Sequence, residues 1–105
     1  MAENLSEETS RLLQFFLDYC AAECGLSPNT ITAYERDLRH FLNYFEPSGA
    51  GELEAISASD LVGYVDEARE NGLSTNTTWR RIVAVRMFYR FLVLENHIEN
   101  AATEA

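Results

Sequence analysis

Apolar side chains recur along this chain at intervals of three and four residues, the spacing of one face of a helix, and strand-type alternation is nowhere convincing. Four helical segments follow from that pattern. The first runs from about Glu7 to Glu23, with Ser6 as N-cap, with Leu12, Phe16, Tyr19 and Cys20 at helical spacing, and with Gly25 just past the last turn. The second is the clearest. Ser27 caps it, Pro28 takes the first helical position where its missing N–H is harmless, and it continues to about Phe45, before Pro47. Its residues Ile31, Tyr34, Leu38, Phe41, Leu42 and Phe45 share one arc. Asn29, Thr32, Arg36, Arg39, His40 and Asn43 lie opposite, a long polar face whose only formal charge is positive. Residues 46–56, with Pro47, Gly49 and Gly51, read as a loop. The third helix starts at Ser57, where Ser57 and Asp60 have capping-box spacing, and ends near Gly72. Ser74 or Thr75 caps the fourth, which reaches about Glu95 and is apolar almost all the way round: Ile82, Val83, Val85, Met87, Phe88, Tyr89, Phe91 and Leu92. Such a helix is expected at the centre of an all-α domain, covered on several sides.

Composition is consistent with one hydrophobic core. The chain has 105 residues, of which 47% are apolar, enough for burial without a disulfide or a metal. The longest near-continuous apolar run, Ile82 to Leu94, is interrupted by Arg86 and Arg90 and is too short to span a bilayer. The opening carries Glu3, Glu7 and Glu8 and has no basic, apolar leader pattern, so the expectation is a cytoplasmic domain with no membrane partner. Cys20 and Cys24, one turn apart, read as a pair of small apolar residues. His40 and His97 fall into no zinc spacing, and no metal or cofactor is expected.

The formal net charge of −9 argues at first against a nucleic-acid partner. Its distribution changes the picture. There is no lysine, and six of the eight arginines fall on the second and fourth helices. The second helix is neutral, because Glu35 and Asp37 offset Arg36 and Arg39, while the fourth carries +4 ahead of Glu95, leaving −13 on the rest. At a Debye length of about 8 Å, distant acidic faces are screened from a local basic surface. On the fourth helix, Thr75, Trp79, Arg86 and Arg90 form a stripe within about 60°. On the second, Thr32, Arg36, Arg39 and Asn43 form another. Arginine forks suit phosphate oxygens and base edges. They equally suit an acidic protein partner, and from residue pattern alone both readings stay open.

Three stretches carry a resemblance. Gly25-Leu26-Ser27-Pro28-Asn29-Thr30-Ile31-Thr32-Ala33-Tyr34-Glu35-Arg36-Asp37-Leu38 resembles the opening signature of the core-binding, SAM-like domain of phage-integrase and Xer-type tyrosine recombinases. Ile56 to Leu61 is similar to the start of that domain's third helix. Leu73-Ser74 through Arg80-Arg81 to Leu92 is similar to its last long helix. Order and spacing agree over roughly residues 10–100. The resemblance implies a bundle of four main helices spanning residues 6–96, a flexible N-terminus at 1–5, and the start of a linker to a catalytic domain at 97–105. It implies double-stranded DNA, that catalytic domain and other recombinase protomers as partners, in DNA integration or recombination. The family's second and fourth helices face DNA. Carried over, the candidate contacts are Asn29, Thr30, Thr32, Arg36 and Arg39, then Thr75, Asn76, Trp79, Arg80, Arg81 and Arg86. Glu35, Asn76, Val83 and the Cys20–Cys24 stretch depart from the family pattern toward fewer phosphate contacts, which implies weak binding by the domain alone.

The family's chemistry uses a tyrosine nucleophile with arginines, a lysine and histidines. This chain has no lysine and no His-x-x-Arg, since His40 and His97 are followed three residues later by Asn43 and Asn100. Tyr19, Tyr34, Tyr44, Tyr64 and Tyr89 all fall within helical segments, several at core positions. No catalytic residue is therefore expected. The alternative is a helical protein-interaction module whose arginine stripes pair with an acidic partner.

Overall fold

Four serines start the four long helices. In the computed structural model, which describes residues 5–104, Ser6 accepts the Thr9 N–H at 3.0 Å and opens α1 (Glu7–Ala22). Ser27 does the same for Thr30 at 3.2 Å and opens α2 (Pro28–Phe45), with Pro28 in its first turn. Ser57 and Asp60 complete both bonds of a capping box at α4 (Ala58–Glu70). Ser74 opens α5 (Thr75–Leu94). Each cap satisfies a backbone donor that the first helical turn leaves open. The helices and the all-α fold expected from periodicity are therefore present. Residues 1–4 of the expected flexible N-terminus, and Ala105, lie outside the described residues. Leu5, by contrast, packs against the core.

The expected loop at 46–56 is different. It contains a short helix, α3 (Ala50–Ala55). Its helical form comes from distant parts of the chain. Glu8 on α1 accepts the Ala50 N–H at 2.8 Å, and the Tyr89 hydroxyl on α5 donates to the Leu53 carbonyl at 2.6 Å. Thr9 is fully buried and donates to the Pro47 carbonyl at 2.8 Å, pinning the start of the same segment to α1.

α5 is the central element, packed by α1, α2 and α4. Phe88, Tyr89, Phe91 and Leu92 are buried on it, and Phe16 of α1 meets Phe88 and Phe91 edge-on at 5.5 and 5.6 Å. Phe41 of α2 meets Tyr64 of α4 and Tyr89 of α5 in the same edge-on manner, an arrangement that rings favour over stacking face to face. Cys20 is buried, as a small apolar residue would be, and burial pushes its thiol up to about 11. Cys24 is exposed, so the two do not behave as a pair.

Beyond α5 the chain turns back through Asn96, whose φ of 62° is left-handed, and the His97 N–H bonds the Leu92 carbonyl at 2.8 Å. Ile98 enters the core. One oxygen of Glu54 accepts both the Glu99 and Asn100 N–H groups, at 2.9 and 2.8 Å. A short 3-10 helix, η1 (Ala102–Glu104), then lies along α5. Its Thr103 lines an apolar cavity of about 70 Å³ together with residues of α4 and α5, Leu73, and Phe41 of α2. The stretch expected as an outgoing linker thus contains a core residue, Ile98, and is fastened to α3. Among the described residues, no helix is long and apolar enough to cross a membrane.

Candidate nucleic-acid interface

Two exposed ridges stand on α2 and α5, two helices that pack against each other. On α2 the ridge is Asn29, Thr32 and Arg36, three and four residues apart and all in solvent. On α5 it is Thr75, Trp79 and Arg86, likewise exposed, with Asn76 on its flank. Trp79, the chain's single tryptophan, is 65% exposed and has no core role. A large aromatic ring held in water beside arginines suits a surface made to be covered.

The remaining candidates are occupied. Thr30 is half-buried, and its hydroxyl shares a 3.0 Å hydrogen bond with the capping Ser27. Arg39 pairs with Glu35 one turn back at 2.9 Å, which cancels its charge locally. Arg80 makes a two-point contact with Asp37: Nε to Oδ2 at 2.8 Å and Nη2 to Oδ1 at 3.0 Å. That contact favours the charged guanidinium and raises the Arg80 pKa further. Its side chain remains 38% exposed, so the outer edge of the guanidinium stays in solvent.

Arg81 points the other way. Its side chain is 11% exposed and bridges three helices. Nε lies 3.5 Å from Asp37 Oδ1, and Nη1 reaches His40 Nδ1 at 3.1 Å and the Tyr64 hydroxyl at 3.4 Å. A guanidinium has only donors, so His40 Nδ1 is an acceptor and its proton sits on Nε2. The Tyr64 hydroxyl lies 2.7 Å from the same Nδ1, whose single lone pair the two donors share. Burial, and then the Arg81 charge, lowers the His40 pKa, in keeping with a neutral ring. Arg81 is placed to fasten α2, α4 and α5 together rather than to meet a ligand.

The unforeseen member of this cluster is Asp37. It is completely buried, between two consecutive arginines 43 and 44 positions away. The charge count had entered it only as an offset to Arg36 and Arg39.

Tyr64 is the one tyrosine of the described chain with both an arginine and a histidine at hydrogen-bond distance. Its surroundings disfavour nucleophilic chemistry. The residue is 4% exposed, and burial pushes its phenol up to about 12, against formation of the reactive phenolate.

Acidic side chains cluster on α4. Asp60, Asp66, Glu67 and Glu70 on α4 are exposed, and with Tyr44 and Phe45 they line a shallow groove there.

The family described as phage integrase, N-terminal SAM-like domain, matches residues 13–96. A tyrosine recombinase XerD of Listeria monocytogenes is 40% identical over 83 residues, which is 78% of this chain and 28% of that protein. A tyrosine recombinase XerC of Listeria welshimeri is 35% identical over 97 residues, 91% of this chain and 32% of that protein. A XerD of Rhizobium meliloti is 33% identical over 91 residues, 87% of this chain and 29% of that protein. The chain spans less than a third of the length of these curated relatives. No solved structure matches it. With the family profile covering four-fifths of its length, over helices that carry the exposed arginine ridges, this chain belongs to the phage-integrase N-terminal SAM-like domain family of Xer-type tyrosine recombinases.

Proposed function

We propose that this chain is a DNA-gripping domain of a site-specific tyrosine recombinase, holding duplex DNA for cleavage by a separate catalytic domain. The observation that carries the reading is the pair of exposed ridges on α2 and α5. They expose Asn29, Thr32 and Arg36 on α2 and Thr75, Asn76, Trp79 and Arg86 on α5, two helices packed against each other. Arg36 and Arg86 supply phosphate contacts, with Arg80 contributing its outer edge. The hydroxyls and amides set register, and Trp79 packs on sugar or base. Arg39 and Thr30 act in secondary roles, because Glu35 and Ser27 already engage them. Arg81 is structural. The chain alone does not break DNA, and the catalytic domain and further protomers of the recombinase are its other partners.

Trp79 supplies the assay. Its fluorescence is followed while a mixed-sequence 20-base-pair duplex is added to the whole chain at increasing salt. Three phosphate contacts imply that log K falls against log salt with a slope between about −2 and −3. Arg86→Ala is expected to flatten the slope by about 0.9. A Trp79 signal that does not respond to DNA, or a slope near zero, overturns the reading and favours an acidic protein partner for the same arginines.

A further inference from the structure

A carboxylate beneath a DNA-binding surface is unexpected on charge alone, because it repels phosphate and cancels nearby arginine. Asp37 is such a carboxylate, wholly buried and two-point bonded to Arg80. We propose that Asp37 is a positioning residue: it holds the Arg80 guanidinium rigidly so that its free edge is presented to DNA. The inference rests on the DNA-binding reading above and assigns within it a role to a residue that itself cannot touch DNA.

The geometry carries it in three steps. A guanidinium offers five N–H groups in one plane. Asp37 engages one on Nε and one on Nη2, which is the side edge of the fork. Three remain, two on Nη1 and one on Nη2, and they define the end edge, the one that matches two phosphate oxygens or the guanine O6 and N7 pair. The side chain is 38% exposed, so that edge is accessible, while its root is fixed from below by a carboxylate with no solvent access.

A purely structural pairing would look different. Arg81 already ties Asp37 into the helix junction, buried and linked to His40 and Tyr64. Arg80 makes the shorter contact with the same carboxylate and yet keeps its outer face in water. The pair divides the work: Arg81 secures the carboxylate from inside, and the carboxylate orients Arg80 outward. Arginine normally loses much rotamer freedom on binding, and a side chain ordered beforehand loses less.

The test separates orientation from charge because the two predict opposite signs. Duplex affinity of the whole chain is measured across salt for wild type, Asp37→Asn, Arg80→Ala and the double variant, each compared per folded molecule by circular dichroism. Arg80→Ala is expected to weaken binding and reduce the salt slope by about 0.9. Asp37→Asn removes a negative charge, and on charge alone would tighten binding. The buttress predicts a loss instead, roughly three- to tenfold, the size of one coupling within a shared hydrogen-bond network. The double variant is expected to bind no more weakly than Arg80→Ala.

A second measurement needs no substitution at Asp37, which matters if Asp37→Asn does not fold. The Arg80 Nε–H resonance of wild type is expected to be ordered in the free protein and to shift on adding the duplex. Tighter or unchanged binding by Asp37→Asn, or an Arg80 resonance indifferent to DNA while Arg86→Ala still weakens binding, overturns the buttress alone. Absence of DNA binding by the wild type overturns the DNA reading first, and the buttress with it.

Discussion

Removing one oxygen atom tests how α5 is tied to the rest of the domain. The Tyr89 hydroxyl is buried and donates to the Leu53 carbonyl at 2.6 Å, the main polar link from the central helix to α3. Tyr89→Phe deletes that donor and keeps the ring, so the edge-on contacts with Phe41 and Phe88 survive. The Leu53 carbonyl is not left bare, since the Ile56 N–H also reaches it at 3.3 Å. The loss is therefore that of one net buried hydrogen bond, about 1–1.5 kcal/mol, and not the larger penalty of an orphaned acceptor. With an unfolding entropy of about 2.1 cal/mol/K per residue over this length, that corresponds to a fall in Tm of about 5–7 °C. Thermal unfolding by circular dichroism measures it, and amide exchange at Leu53 to Ile56 reports whether α3 loosens first. A Tm within 1 °C of wild type refutes the claim that this bond holds α3. A fall beyond about 15 °C refutes the argument that the carbonyl keeps a second partner.

Two further outcomes follow from backbone and ionisation. Gly72, past the end of α4, has a φ of 91° and nothing within 4 Å of the place a Cβ would take, so Gly72→Ala costs only the left-handed conformation, about 1–2 kcal/mol by urea unfolding. An unchanged urea midpoint contradicts that conformation. Burial raises the Tyr64 phenol to about 12 and that of Tyr89 in the same direction, so the folded state holds these protons above the usual value near 10. Their contribution is whole below pH 10 and is lost as pH climbs through 12. For Tyr64 this amounts to about 3 kcal/mol, and Tyr64→Phe removes that part of the alkaline fall. Stability that stays flat to pH 12 is the contradicting result.

The long helices were legible because their determinants are local. Ser6, Ser27, Ser57 with Asp60, and Ser74 each stand three residues before the backbone donor they satisfy, and the apolar spacing of α2 identifies Leu38, Phe41 and Leu42 as core. α3 was not legible. Six residues flanked and interrupted by glycine have no helical tendency of their own, and their partners, Glu8 and Tyr89, lie about forty positions away on either side. Ile98 was missed for a related reason, since a single core residue beyond a helix leaves no periodic trace.

The candidate interface was legible by residue type and not by role. Charge counting drew attention to the arginines of α2 and α5. It treated Arg39, Arg80, Arg81 and Arg86 as equivalent, although one pairs with Glu35, one is buttressed, one is buried and one is exposed. A clue to Asp37 was present. Four residues before Phe41, it sits about 40° from that core residue on the helix, at the margin of the apolar arc. An acidic residue there, with an arginine doublet on an otherwise apolar helix, has the composition of a buried ion pair. The pairing itself, across more than forty residues, requires the tertiary structure.

The central claim is that α2 and α5 together form a DNA-binding face. Its most direct test is an amide NMR titration of the whole chain with a short duplex at about 50 mM salt. Shifts are predicted on Asn29, Thr32 and Arg36 of α2 and on Thr75, Asn76, Trp79, Arg80 and Arg86 of α5, fading as salt rises, with the α4 face of Asp66, Glu67 and Glu70 silent. Shifts confined to α4, or none at millimolar duplex, contradict the account.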